Sequence, residues 1–295
     1  MTAPAIETRG LGKRYGRVSA LEDLSLRVED GEVLGFLGPN GAGKTTTIRL
    51  LLGLLRASAG TASVLGRPAR PGAAAWRADI GYLPGELALW PDLTGERTLD
   101  FLGGLSGRPA LRREELLARL GLGEADLRRR VGTYSDGMKQ KIGIVQALQC
   151  APRLLLLDEP TKGLDPLMQE AFYELLNEAR AAGATIFFSS HVLSEVERIC
   201  DRVAMLRAGR LVGLDAVEEV RREQRRRVVA EFAEDVGPGV FASFGEVVSA
   251  QPRRVELLVA RRELPALVAR LGMLPLADLV IESPGLEEAF LERYR

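Results

Sequence analysis

The sequence Gly38-Pro39-Asn40-Gly41-Ala42-Gly43-Lys44-Thr45-Thr46 decides how the first part of this chain folds. It fits the pattern G-x-x-x-x-G-K-[ST] of a phosphate-binding loop. An apolar run of strand length, residues 33–37, comes before it, and residues 46–55 are apolar at helical spacing. This strand-loop-helix order predicts a nucleoside triphosphate site, because the loop amides and the helix N-terminus both attract phosphate. A glycine-rich turn before an ordinary helix is the alternative interpretation.

Each part of the loop has an expected role. The glycines let the backbone wrap around the β-phosphate, Lys44 is expected to reach the β- and γ-phosphates, and the Thr45 hydroxyl is expected to bind Mg²⁺. The predicted phosphate-binding residues are therefore Gly38, Pro39, Asn40, Gly41, Ala42, Gly43, Lys44, Thr45 and Thr46.

Length and charge limit the kind of protein this is. The chain has 295 residues, enough for one large and one small domain. Lys plus Arg and Asp plus Glu number 40 each, so no overall charge draws the chain to nucleic acid.

No apolar run approaches the roughly 18 residues that span a bilayer, and residues 1–16 lack the core of a signal peptide. Cys150 and Cys200 lie far apart in apolar helical contexts, which predicts buried reduced thiols and a cytosolic protein.

The alternation of short apolar strands and helices predicts an α/β domain over residues 1–215, with a parallel or mixed sheet covered by helices. The predicted strands are 24–28, 33–37, 80–83, 154–158, 185–189 and 203–207. The predicted helices are 45–55, 94–105, 112–120, 137–149, 166–182 and 193–200.

A second pattern begins after this domain. Residues 216–227 are predicted to form a charged helical linker that carries the run Arg225-Arg226-Arg227. We interpret this run as a solvated helix end, with contact to a membrane surface as the alternative. Residues 228–295 predict a small α+β domain. Its predicted strands are 228–232, 246–249, 255–259 and 279–282, and its helices are 263–271 and 286–294.

An acidic pair follows four leucines, Leu154 to Leu157, in a predicted buried strand. Asp158 and Glu159 stand at the end of this strand, where one carboxylate is expected near Mg²⁺ and the next near the attacking water. The acidic pair therefore favours hydrolysis of the bound nucleotide.

Four further segments resemble motifs of the ATP-binding-cassette (ABC) family. Tyr134-Ser135-Asp136-Gly137-Met138-Lys139-Gln140 resembles its Leu-Ser-Gly-Gly-Gln signature, and Pro160-Thr161-Lys162-Gly163-Leu164-Asp165-Pro166 resembles its D-loop. His191, the only histidine, ends a predicted strand where the family has its switch histidine, and Tyr15 matches the aromatic residue that stacks on adenine. Taken singly, each residue is better explained by a structural role: a helix-capping serine, a structural histidine and a tyrosine packed on the core. The order of the motifs along the chain favours the family.

The resemblance covers about residues 6–214 and is closest to bacterial exporters of the drug- and antibiotic-resistance type. In that type a C-terminal segment resembles Leu286-Glu287-Glu288-Ala289-Phe290. It implies an ABC ATPase domain of the P-loop NTPase fold, with a mixed sheet core, a helical signature subdomain and a small C-terminal α+β domain. It also implies a head-to-tail homodimer that closes on two ATP molecules and drives a separate membrane-spanning permease. The chain would then lie in the cytoplasm, on the inner face of the membrane.

The resemblance also implies roles for the residues. Lys44 and the loop amides hold the phosphates, Thr45 and Asp158 bind Mg²⁺, Glu159 polarises the water, and His191 supports the γ-phosphate. The residues expected to bind nucleotide from other motifs are Tyr15, Ser135, Gly137 and Asp165.

One position departs from the family. Gly85 stands where the family has a glutamine that touches Mg²⁺, so Glu86 or a water fills that role, or coupling to the permease is tuned differently. Two rival functions remain open. A soluble cassette ATPase acting on ribosomes or DNA is disfavoured, since the chain has one cassette and no coiled-coil or zinc insertion. A regulatory subunit that senses ATP without useful turnover is the other.

Overall fold

The computed structural model describes residues 3–72, 75–223 and 225–282. The chain divides into two compact units, Met1–Leu214 and Asp215–Arg295. No helix among the described residues is long and apolar enough to cross a bilayer.

The first unit contains two sheets and the helices around them. Its elements in chain order are β1 (Ile6–Tyr15), β2 (Val18–Val28), β3 (Val33–Leu37), α1 (Lys44–Leu51), β4 (Ala59–Val64), β5 (Arg67–Pro68), β6 (Ile80–Leu83), α2 (Gly95–Ser106), α3 (Arg113–Arg119), α4 (Glu124–Leu127), α5 (Asp136–Leu148), β7 (Leu154–Asp158), α6 (Pro166–Ala181), β8 (Thr185–Ser190), α7 (Leu193–Ile199), β9 (Arg202–Arg207) and β10 (Arg210–Ala216). One sheet has six strands in the order β10-β9-β3-β8-β7-β6, and the other has four in the order β2-β1-β4-β5. The unit is therefore an α/β domain, as predicted.

The six-stranded sheet positions the site. Its strands β9, β3, β8, β7 and β6 pair in parallel, and every residue of β3, β7 and β8 is buried. Continuous apolar runs such as Leu154–Leu157 suit strands that are covered on both faces. Because parallel strands end at the same edge, the segments after β3, β7 and β8 meet there, and ligands of α/β sheets bind at that edge.

The second unit is a small α+β fold. It contains α8 (Val217–Glu223), β11 (Arg225–Phe232), β12 (Glu246–Gln251), β13 (Arg254–Ala260), α9 (Leu264–Leu271) and β14 (Leu276–Glu282). The strands form an antiparallel sheet in the order β12-β13-β11-β14. Its core combines the inward residues of β11 and β13 with Phe241 and with Leu267 and Leu271 of α9.

The predicted helical linker over residues 216–227 is wrong at its C-terminal end. The helix ends at Glu223, and the arginine run begins strand β11 instead of ending a helix. Arg225 pairs with Glu246 and Arg227 with Glu256 on other strands of this sheet. Opposite charges on neighbouring strands, such as Arg227 on β11 and Glu256 on β13, stabilise a sheet, and the β-branched Val228 and Val229 that follow the run favour the strand further. The predicted helix 286–294, with the segment Leu286 to Phe290, lies outside the described residues.

Most of the other predicted elements are confirmed. Strands 33–37, 80–83 and 154–158 have the predicted bounds, whereas α1 ends at Leu51, four residues early. Strands β1, β4, β5 and β10 were missed.

Candidate nucleotide-binding and catalytic site

The predicted phosphate-binding loop joins β3 to α1 and packs tightly against its neighbours. Gly43, the residue before α1, has φ +109°, and a Cβ there would lie 2.5 Å from the Ala20 carbonyl oxygen. A Cβ on Gly38 would lie 2.3 Å from the Leu206 carbonyl oxygen. Both positions therefore require glycine. No side chain caps the N-terminus of α1, so the amides of its first turn suit an anionic ligand.

Lys44 is held by its own loop and is only 5% exposed. Its ammonium donates to the carbonyl oxygens of Gly38 at 2.6 Å and Pro39 at 3.3 Å, and lies 3.4 Å from Glu159 Oε1. A buried cation needs such partners. The loop thus provides one fixed positive charge for phosphate.

Asp158 joins the loop to the end of β7. It is 2% exposed, and it accepts hydrogen bonds from Thr45 Oγ1 at 2.7 Å and Ser189 Oγ at 2.9 Å. Carboxylate and hydroxyl oxygens suit Mg²⁺, which usually takes its other ligands from water and substrate phosphate. No group of three or more His, Cys, Asp or Glu side chains in the described part of the chain could hold a metal alone. The donor set therefore fits a metal bound together with a nucleotide.

Glu159 and His191 meet beside Lys44. The Glu159 Oε1 atom lies 3.2 Å from His191 Nδ1, and the Glu159 amide donates to the Ser189 carbonyl oxygen at 3.0 Å. Glu159 has φ +48°, which is strained for a residue with a side chain. The structure thus brings together the three residues predicted to be catalytic, from three separate segments of the chain.

A cavity of about 310 Å³ opens at this edge of the sheet. The residues that line it are Asn40, Thr45, Arg49, Tyr82, Pro84, Gly85, Glu86, Asp158, Glu159 and Lys162. A Cβ on Gly85 would lie 3.5 Å from Asp158 Oδ2, so any side chain at this position would face the proposed metal ligand. Burial raises the pKa of Tyr82, and the negative charge of Asp158 raises it further. The sequence reasoning missed the two cations in this lining, Arg49 and Lys162.

The four nucleotide-binding residues predicted from the other motifs are absent from this lining, as are Lys44 and His191. Ser135 and Asp165 begin helices α5 and α6, where their side chains accept from the amides of Met138 at 3.2 Å and Met168 at 3.0 Å. A Cβ on Gly137 would lie 2.9 Å from the carbonyl oxygen of Gly163, so the signature and the D-loop segment touch. Tyr15 ends β1, is half exposed, and has the Lys13 ammonium 5.1 Å from its ring centroid.

Comparison with known proteins identifies the family. Residues 21–162 match the ABC transporter family model, and residues 207–282 match the model of the EvrA-like ABC transporter C-terminal domain. The daunorubicin resistance ATP-binding protein DrrA3 of Streptomyces coeruleorubidus is 34% identical over 304 residues, covering 99% of this chain and 96% of that protein. The chain belongs to the ABC transporter ATP-binding family. It is therefore an ABC ATPase, a class in which ATP hydrolysis is coupled to transport.

Two further relatives agree with this assignment. An uncharacterised ABC transporter ATP-binding protein of Nostoc is 45% identical over 209 residues, which are 69% of this chain and 62% of that protein. A solved ATP-binding subunit of an ABC transporter superposes with a TM-score of 0.68 at 35% identity, over 74% of this chain and 92% of that one. The ABC fold predicted from the motifs is confirmed.

Proposed function

We propose that this ABC ATPase powers export of a drug-like or other small molecule through a separate membrane permease. The observation that carries the catalytic part is the position of the Glu159 carboxyl, 3.4 Å from Lys44 and 3.2 Å from His191. The full-length similarity to a daunorubicin resistance protein supports export of a small molecule.

Hydrolysis would use the residues that converge at the sheet edge. Lys44 and the first-turn amides of α1 would hold the β- and γ-phosphates, and Thr45 and Asp158 would bind Mg²⁺, which neutralises phosphate charge. Glu159 would accept a proton from the attacking water, and His191 would support the γ-phosphate. Each of these five side chains has a polar atom within 3.4 Å of a polar atom of another of the five.

A head-to-tail homodimer would complete each site. Ser135 begins a helix whose N-terminal amides suit phosphate, and the signature and D-loop segments, which carry Gly137 and Asp165, touch each other. They would act on the nucleotide bound to the other subunit. Tyr15 would stack on adenine, for which its half-exposed ring is suited.

An apolar groove supports coupling to a permease. It has a volume of about 740 Å³ and lies between the end of β6 and helix α2. Trp90 beside it is 47% exposed and makes an edge contact with Phe101, and Leu105 is 70% exposed. Exposed apolar patches of this kind mark docking surfaces. Tyr82 and Pro84 line both this groove and the nucleotide cavity, so a docked permease segment would touch the same strand end. Through this contact the chain would sit at the cytoplasmic face of the membrane.

A phosphate-release assay on the purified protein tests the proposal. We expect steady ATP hydrolysis that requires Mg²⁺ and increases when the cognate permease is added. The second candidate is a regulatory subunit without useful turnover, which Gly85 favours because it offers no side chain beside Asp158. Nucleotide binding without phosphate release, with and without permease, would establish that candidate instead.

A further inference from the structure

A carboxylate on α7 joins the two segments that carry Glu159 and His191. Glu195 Oε1 accepts a hydrogen bond from the Thr161 hydroxyl, and Oε2 accepts one from the Ser190 hydroxyl at 2.6 Å. Thr161 lies two residues after Glu159, and Ser190 immediately precedes His191. None of the three was singled out by the sequence motifs.

These hydrogen bonds are made in a closed environment. The side chains of Thr161 and Ser190 are buried, whereas Glu195 is partly exposed. A buried hydroxyl needs a partner, and an ionised acceptor makes a shorter and stronger bond than a neutral one. Burial raises the pKa of the nearby Tyr173 phenol, and the charge of Glu195 raises it further.

The contacts of Ser190 extend this link to the phosphate loop. Its carbonyl oxygen accepts from the amide of Gly38 at 3.3 Å, and its hydroxyl accepts from the amide of Val192 at 2.8 Å. The preceding residue, Ser189, accepts from the Glu159 amide at 3.0 Å. These contacts form a closed ring of bonds. The ring runs along the backbone from Glu159 to Thr161, through the Glu195 carboxylate to Ser190, and from Ser189 back to the Glu159 amide.

We propose that Glu195 is a positioning residue that holds the Glu159 and His191 loops in register for hydrolysis. This inference rests on the proposed catalytic function of those two residues. The ring connects the two segments that carry Glu159 and His191, and it thereby supports the 3.2 Å distance between Glu159 Oε1 and His191 Nδ1. The carbonyl oxygens of Gly38 and Pro39 hold Lys44 independently of Glu195, so loss of Glu195 would disturb turnover more than nucleotide binding.

Four variants test the link. Glu195→Ala removes both hydrogen bonds, Glu195→Gln keeps one acceptor oxygen, and Ser190→Ala removes one partner. The matched control is Glu170→Ala, because the Glu170 carboxylate on α6 pairs with Arg198 of α7 and contacts neither hydroxyl. We expect Glu195→Ala to lower kcat by about 10- to 100-fold, the scale of a small misplacement of catalytic groups. Glu195→Gln should retain more activity, Ser190→Ala should fall between Glu195→Ala and the wild type, and Glu170→Ala should keep the wild-type kcat.

The nucleotide dissociation constant separates positioning from general damage. It should stay within about twofold of the wild-type value in Glu195→Ala while kcat falls. An equal loss of kcat in Glu170→Ala would overturn the proposal, because that variant weakens the α6–α7 contact without touching the ring. Should Glu195→Ala fail to fold, Ser190→Ala and Glu195→Gln give the same comparison.

A spectroscopic readout needs no turnover. His191 is the only histidine, so NMR spectra of the protein freed of any histidine tag contain a single set of imidazole ring signals. We expect these signals to shift or broaden in Glu195→Ala and to stay in place in Glu170→Ala. A wild-type protein that binds but does not hydrolyse ATP would count against the proposed function alone, and the His191 signal would still report on Glu195. An unchanged signal together with wild-type kcat in Glu195→Ala would refute the positioning role.

Discussion

Glu159 takes its position from the backbone on both sides of it. Its left-handed φ, and the hydrogen bond that its amide donates to the Ser189 carbonyl oxygen, turn the chain sharply at the end of β7. A strained conformation of this kind costs about 1–3 kcal/mol and persists only where the surroundings hold it. The turn leaves Asp158 facing Thr45 and brings the next carboxyl to His191. The two adjacent acids thereby contact different residues.

We expect Glu159→Gln to bind Mg-ATP normally and to lose most of its turnover. The amide keeps the size of the side chain but cannot accept a proton from water, and loss of a general base lowers kcat by about two or more decades. Phosphate release and calorimetric binding measure the two effects. Hydrolysis near the wild-type rate in this variant would contradict the role of Glu159.

We expect Lys44→Ala to weaken both nucleotide binding and turnover, because the variant removes the cation held against the loop carbonyls. Calorimetry with Mg-ATP checks the affinity, and circular dichroism checks that the fold is retained. An unchanged affinity with an unchanged rate would mean that the loop is an ordinary turn.

Among individual residues, the sequence predicted those that belong to a recognisable motif. Lys44, Thr45, Asp158 and Glu159 follow from the loop pattern and from acids at the end of an apolar run, and His191 followed from the family resemblance. Arg49 and Glu195 were missed because neither belongs to a sequence motif; the fold places Arg49 in the cavity lining and Glu195 in hydrogen bonds with Thr161 and Ser190. No local pattern reports such contacts.

Strand β7 illustrates how an element fixes the site. Its four leucines are fully buried, and Leu154 and Leu156 share a core with α1 and the four-stranded sheet. These leucines anchor Asp158 at the end of the strand. We expect Leu156→Ala to lower the free energy of unfolding by about 2–5 kcal/mol, from lost burial and the cavity left behind. Urea denaturation of the first unit measures it.

The matched control is Leu111→Ala, since Leu111 is 81% exposed. We expect this variant to stay within about 0.5 kcal/mol of the wild type. Equal destabilisation by the two substitutions would contradict the buried position of β7.

The elements that were predicted and missed differ in pattern. Strands β3, β6 and β7 are short apolar runs bounded by turns, which sequence patterns identify well. Strand β1 carries Gly10, Gly12 and several charged residues, and its pairing with β2 and β4 is interrupted by irregular register. The Arg225–Arg227 run was predicted as helix because charge favours a solvated helix end, yet its partners lie across a sheet. Partners of that kind become visible only in the fold.

At the scale of the whole molecule, the proposed head-to-tail homodimer would bring Ser135 of one chain to the nucleotide bound by the other. Ser135 lies at the start of α5, where its hydroxyl accepts from the Met138 amide, and it is not part of the cavity lining. The account therefore depends on Ser135 acting on the nucleotide that the partner's Lys44 holds.

Mixing two inactive variants measures this dependence directly. Ser135→Arg blocks the signature serine and Lys44→Ala disables the phosphate loop, so their heterodimer has one site with neither lesion and one site with both. The account predicts that the mixture recovers a measurable fraction of wild-type phosphate release, whereas each variant alone stays at background. Background activity in the mixture, with heterodimers verified by two affinity tags, would contradict the shared site.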